Sequence, residues 1–174
     1  MVFGKTMTLV EFNALPVSDA ASLLQQCNAA TQWYEAMAAA RPFASVAEMK
    51  QRAETIWAAL SETDYLQAFE AHPMIGDVDS LRQKYADTKA MASGEQSGAA
   101  NANEAVLTEL AKLNHEYLAK FGFIFIVFAT GKTAAQMLEL LKARLPNSRT
   151  DEIANAAAEQ LKITLLRIDK LLAQ

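Results

Sequence analysis

The chain has 174 residues, of which 52% are hydrophobic and 21% charged, and a net charge of −4. That is enough chain for one domain with a real core, and the absence of any basic block argues against a nucleic-acid partner. A single cysteine, Cys27, excludes an intramolecular disulfide, and two histidines with one cysteine fall short of a structural zinc site.

Residues 1–7, ahead of or at a second methionine, Met7, are read as a disordered extension or an expression remnant, and 8–174 as one helical domain. A first short helix is predicted over Leu9 to Leu15, stopped by Pro16. Ser18 and Asp19 are expected to cap a second, to Cys27, and a third over Thr31 to Ala40 should end at Arg41-Pro42. Ser45 with Glu48 opens a fourth, to Leu60, with Met49, Ala53, Ile56 and Trp57 on one face. Ser61 with Asp64 opens a fifth, reaching Ala71. A region of turn formers follows, with a short helix at Ser80 to Ala86. Asn103 to Lys120 reads as a long helix ended by Gly122. Phe123 to Phe128 is a continuous apolar run with no partner strand in view, and reads as a buried extended segment. Thr130 or Thr133 caps the next helix, to Arg144, and Asp151 opens the last. The expected fold is all-α, a single domain of about eight helices with one short buried extended segment.

No apolar run approaches the roughly 18 residues that span a membrane. No signal peptide precedes the first helix, so a soluble cytoplasmic protein is expected.

Four places could carry chemistry. His72, in Ala71-His72-Pro73-Met74-Ile75-Gly76-Asp77, stands at a helix end where the dipole favours its protonated form, which suits a general acid. A histidine that merely caps the helix is the equal alternative. Ser93-Gly94-Glu95-Gln96-Ser97 packs a carboxylate, an amide and two hydroxyls into one turn, enough to grip a polar ligand. An ordinary loop before a helix, capped by Ser97 or Asn101, explains it as well. Arg167, inside Leu165-Leu166-Arg167-Ile168, needs an acceptor that is either a protein carboxylate or a bound anion. A snorkelling arginine at the core edge is the alternative. The backbone of Phe123 to Phe128 needs hydrogen-bond partners, and a planar polar ligand is one source; plain core is the other.

Other features carry less. Gly131-Lys132-Thr133 resembles the end of a phosphate-binding loop, but Ile126 stands where that loop needs glycine. His115 is expected to be a solvated helix residue. Asp77 and Asp79 lack the rest of a calcium loop. Trp33 and Trp57 are expected in the core.

Ala-His-Pro-Met-Ile-Gly at 71–76, Ser-Gly-Glu-Gln-Ser at 93–97, Leu-Asn-His-Glu-Tyr at 113–117, Lys-Phe-Gly-Phe-Ile-Phe-Ile-Val at 120–127 and Arg-Leu-Pro-Asn at 144–147 occur in that order. The closing Glu-Gln-Leu-Lys-Ile-Thr-Leu-Leu-Arg completes the set. From about Thr8 onward the chain resembles 2-oxo-4-hydroxy-4-carboxy-5-ureidoimidazoline (OHCU) decarboxylase, a carboxy-lyase of the urate-to-(S)-allantoin route in purine catabolism. The resemblance implies an all-helical homodimer with no cofactor and no metal. It implies His72 as proton donor and Glu95 as its catalytic partner, with Pro73 lining the pocket. Ser93, Gln96, the backbone of Phe125, Ile126 and Val127, and Arg167 would bind the substrate. Only Gly94 separates Ser93 from Glu95, where some relatives have two residues, so the role of Glu95 carries over more directly than that of Ser93.

Two other classes stay open on the residues alone. A partner-binding helical module predicts an exposed apolar patch and a tolerant His72. A metal-dependent hydrolase would use His72, Asp77 and Glu95, and the shortage of histidines counts against it.

Overall fold

Apolar residues at helical spacing, separated by capping residues and prolines, make most of the described chain helical. The computed structural model describes residues 6–85 and 97–173, with the backbone alone for 97–103. Among the described residues there are nine helices and no strand: α1 Leu9–Ala14, α2 Val17–Cys27, α3 Thr31–Ala40, α4 Val46–Ala58, α5 Glu62–Glu70, α6 Val78–Lys84, α7 Ser97–Phe121, α8 Ala134–Arg144 and α9 Arg149–Leu171. They fall into two compact units. One spans the chain to Ala71 and resumes at Ala157; the other is His72–Ala156.

In the first unit α3 packs on α2, α4 and α5. Trp33, Met37 and Met49 are fully buried there, and Trp57 nearly so. Both indoles are satisfied as well as buried: Trp33 Nε1 donates to the Ala53 carbonyl at 3.2 Å, and Trp57 Nε1 to that of Ala157 at 2.9 Å. Arg41 ties the end of α3 to α1, donating to the carbonyls of Phe12 at 2.8 Å and Leu15 at 2.9 Å. Met7, assigned on sequence to the extension, is paired with the C-terminal segment. Its N–H donates to the Leu171 carbonyl, and its carbonyl accepts from Ala173.

Side-chain caps set most helix starts. Thr8, Ser45, Ser61, Asp77 and Thr133 each accept a backbone N–H of the first turn, so Thr133 rather than Thr130 caps α8. Four starts differ from expectation. α2 begins at Val17 behind Pro16, with no side-chain cap. α6 begins at Val78, because Asp77 provides the cap. α7 begins at Ser97, well ahead of Asn103. α9 begins at Arg149, since the Ser148 hydroxyl takes the Asp151 N–H at 3.1 Å.

The second unit is built on α7, which packs against α6 and α8. Leu107, Leu110, Tyr117 and Phe121 form its buried stripe, met by Met137, Leu138 and Leu141 of α8. Residues 123–128 follow without regular structure. Only Phe123 and Ile126 are buried, and the other four side chains are half-buried, so the run is less interior than expected.

Candidate functional site

His72 follows directly after Ala71, the C-cap residue of α5, and its side chain is half-buried. Pro73 is exposed. The chain from 73 to 76 has no regular structure, so something else must hold it. Two side chains of α7 do so: Asn114 Nδ2 donates to the Ile75 carbonyl at 3.2 Å, and the His115 Nε2 ring nitrogen to the Gly76 carbonyl at 2.9 Å. His115 is an exposed helix residue, as expected, with a contact that the sequence does not announce. Its side chain is exposed, but the ring spans to the loop that carries His72 instead of merely facing solvent. Gly76 permits that approach, because a Cβ there would lie 2.6 Å from His115 Nε2 and 2.8 Å from the Met74 methyl.

Beyond Gly76 the Asp77 carboxylate caps α6, accepting the Ser80 N–H at 2.8 Å. That bond, then one from the Ser80 hydroxyl, holds its pKa below the usual carboxylate value. Asp77 is thus engaged as a helix cap. Among the described residues no group of three His, Cys, Asp or Glu side chains could hold a metal ion. Glu95, with Ser93 and Gln96, lies outside the described residues.

The second element is the run at 123–128. Arg144, at the end of α8, reaches it with Nη1 on the Ile126 carbonyl at 2.6 Å, its guanidinium carbon 4.6 Å from the Phe125 ring centre. The same guanidinium pairs through Nε with Glu152 at 2.7 Å. Glu152 has no solvent exposure and takes four donors: Arg144, the Tyr117 hydroxyl, Asn147 at 2.9 Å and Asn155 at 2.8 Å. Burial acts to raise its pKa, but the bonds from Asn147, Tyr117 and Asn155 and the Arg144 charge outweigh it, and the carboxyl is held below its ordinary value. Burial, with the bond to Glu152, pushes the Tyr117 phenol well above its usual range. The Tyr117 ring also packs on Phe125, at 5.3 Å between centres. Among the described residues, no hydrogen bond reaches the N–H or carbonyl of Phe125 or Val127, nor the N–H of Ile126.

Arg167 lies in the first unit, half-buried on α9. Its one hydrogen bond is to the Cys27 carbonyl, long at 3.4 Å, and no carboxylate pairs with it among the described residues. Burial lowers its pKa, while Cys27 acts the other way. Burial pushes the Cys27 thiol up to about 12, against the Arg167 charge, so at neutral pH it is an unreactive thiol. The charge of Arg167 therefore lacks a counter-ion from the described protein.

The structure thus places His72, Pro73 and 125–127 in the second unit and Arg167 in the first. The His72 loop and the 125–127 run share α7 as scaffold, through Asn114, His115 and Tyr117. The sequence reading missed Asn114, His115, Arg144 and Glu152 as supports. The signals were available: Leu-Asn-His-Glu-Tyr and Arg-Leu-Pro-Asn contain three of them, and a glutamate on the inner face of a helix calls for partners.

The described residues form an all-helical fold with a half-buried histidine on a side-chain-pinned loop and an open stretch of backbone beside an aromatic cluster. The family is specific: a model of OHCU decarboxylase matches residues 13–169, through both units, and the chain belongs to that family. The bifunctional uric acid degradation protein TTL of Arabidopsis thaliana is 38% identical over 83% of this chain and 45% of its own length. The OHCU decarboxylase of Xenopus laevis is 30% identical over 74% of this chain and 73% of its own. The chain spans less than half the length of the first bifunctional relatives it matches. A crystal structure of OHCU decarboxylase in the presence of (S)-allantoin superposes with a TM-score of 0.68 at 35% identity, covering 86% of this chain and 96% of that one. A crystal structure of (S)-allantoin synthase shares the fold, with a TM-score of 0.71 at 18% identity, covering 96% of this chain and 54% of that one.

Proposed function

We propose that the chain decarboxylates 2-oxo-4-hydroxy-4-carboxy-5-ureidoimidazoline to (S)-allantoin, with His72 as the proton donor. The observation that carries this reading is the family match over 13–169, which includes the His-Pro loop and the segment after Gly122. In this substrate the carboxylate sits one carbon from a C=N bond. When the bond to the carboxylate breaks, carbon dioxide leaves, the released electron pair forms a double bond between the two ring carbons, and the C=N pair passes to the nitrogen, which takes up a proton. The hydroxyl of the ring carbon then gives up its proton as it becomes a carbonyl, and the neighbouring carbon takes one from His72. The substrate carries its own electron sink, so the protein has to orient, stabilise charge and protonate one face.

The residues suit those tasks. A half-buried guanidinium with no carboxylate among the described residues is suited to a carbonyl or carboxylate oxygen, and we assign Arg167 that role. The open N–H groups of 125–127 and the carbonyls of Phe125 and Val127 match the donors and acceptors of a ureido group. The Ile126 carbonyl, held by Arg144, is not among the groups offered. Glu95 would orient the ring hydroxyl and His72, Ser93 and Gln96 would bind the ring, and Pro73 would line the pocket, as the family resemblance implies. A homodimer, a cytoplasmic setting and freedom from cofactors belong to the same reading.

Turnover of the substrate, generated in place from urate, tests it. Wild type should speed its disappearance, and His72→Ala should lose about 100- to 10,000-fold in rate while staying folded. Unaccelerated decay with folded wild type would remove the function, and an undiminished rate in His72→Ala would remove the proton donor.

A further inference from the structure

We propose that Arg144, locked by Glu152 and Tyr117, is a positioning residue that sets the 125–127 backbone to receive substrate. This rests on the functional reading above and adds to it a device that touches no substrate itself.

An irregular run cannot satisfy its own peptide groups. Among the described residues the backbone of 124–127 has one hydrogen bond, from Arg144 to the Ile126 carbonyl. Arg144 does three further things with the same planar group: it lies against the Phe125 ring, pairs with Glu152, and donates to the Tyr117 hydroxyl at 3.3 Å. Its side chain is only 12% exposed. The guanidinium is therefore fixed by partners on three elements, the carboxylate from α9, the phenol from α7 and the ring from the run itself. Glu152 is held in turn by Asn147 and Asn155.

A buried ion pair is a poor way simply to gain stability, because desolvation consumes much of its attraction. A fully satisfied polar network does fix one geometry. Here the geometry fixed is that of the peptide groups on either side of Ile126, which are the ones left open. Four of the residues involved, Tyr117, Phe125, Arg144 and Asn147, stand in three of the ordered motifs that the sequence displays.

Arg144→Lys is the informative variant. It keeps the charge beside Glu152, but one ammonium cannot bridge Glu152 and the Ile126 carbonyl while lying flat on a ring. The readouts are backbone 15N relaxation and steady-state kinetics. Order parameters over 124–128 should fall from about 0.85 toward about 0.6 while those of α7 and α8 stay high. KM should rise by about tenfold with kcat changed by less than about threefold, as expected when binding alone is weakened. Unchanged order in the run, or lower order with an unchanged KM, would overturn the proposal. Should Arg144→Lys fail to fold, Tyr117→Phe removes one restraint and is read by the same criteria, with smaller changes. A folded wild type without turnover would sink the functional reading alone, and the order parameters would still judge the clamp.

Discussion

Gly76 shows how closely single atoms govern the loop behind His72. Its α-carbon lies so near the His115 ring that a methyl group would collide with Nε2 at 2.6 Å. Gly76→Ala must therefore push the loop or the ring aside. A displacement of about 1 Å at a catalytic group can cost about 100-fold in rate. We expect Gly76→Ala to lose activity on that scale, and Gly76→Ala with His115→Ala to recover part of it, because the obstructing ring is then gone. Kinetics of the single and double variants check this. A double variant no better than Gly76→Ala would show that the hydrogen bond from His115, not its bulk, decides the loop position.

At the scale of elements, α9 illustrates what a helix can hide. Its buried stripe runs Glu152, Ala156, Gln160, Thr164, Ile168, in steps of one turn. Three of the five are polar, and each is satisfied. Thr164 bonds Gln160 and accepts from Asn28, and Glu152 anchors Arg144. The acid response follows from Glu152. Its pKa is lowered in the folded state, so its contribution to stability is fully present above the ordinary glutamate value of about 4.3 and is lost as pH falls through the lowered folded value. Urea unfolding between neutral and strongly acidic pH should show that loss, and Glu152→Gln should be less stable near neutrality with a flatter acid limb. An acid limb as steep in Glu152→Gln as in wild type would assign the effect to other carboxylates. The same stripe explains what the sequence conceals. Periodicity counts apolar residues, so it finds Ile168 and Leu171 but passes over Glu152 and Gln160. Caps are local and were legible: Ser45, Ser61 and Thr133 each close a first turn by a bond to a residue three positions on. The anchoring of 125–127 by Arg144 joins residues 18 positions apart, and no local rule reports it.

For the molecule as a whole, length, composition and punctuation specify an all-helical chain, and the ordered motifs specify the family. The division into two units was not legible, because it depends on which helices touch. The polar loop with Ser93, Glu95 and Gln96 is legible in the sequence and lies outside the described residues, so the roles proposed for it rest on the family resemblance. On the proposed mechanism, this chain guides decarboxylation to one hand of product through His72. Circular dichroism of the allantoin formed tests it most directly, since the unaided decay yields a racemate. Urate is converted by excess urate oxidase and hydroxyisourate hydrolase, and this protein is then added as wild type or as His72→Ala. Wild type should give a fast (S)-allantoin signal, and His72→Ala none above background. An optically silent product from folded wild type would contradict that mechanism.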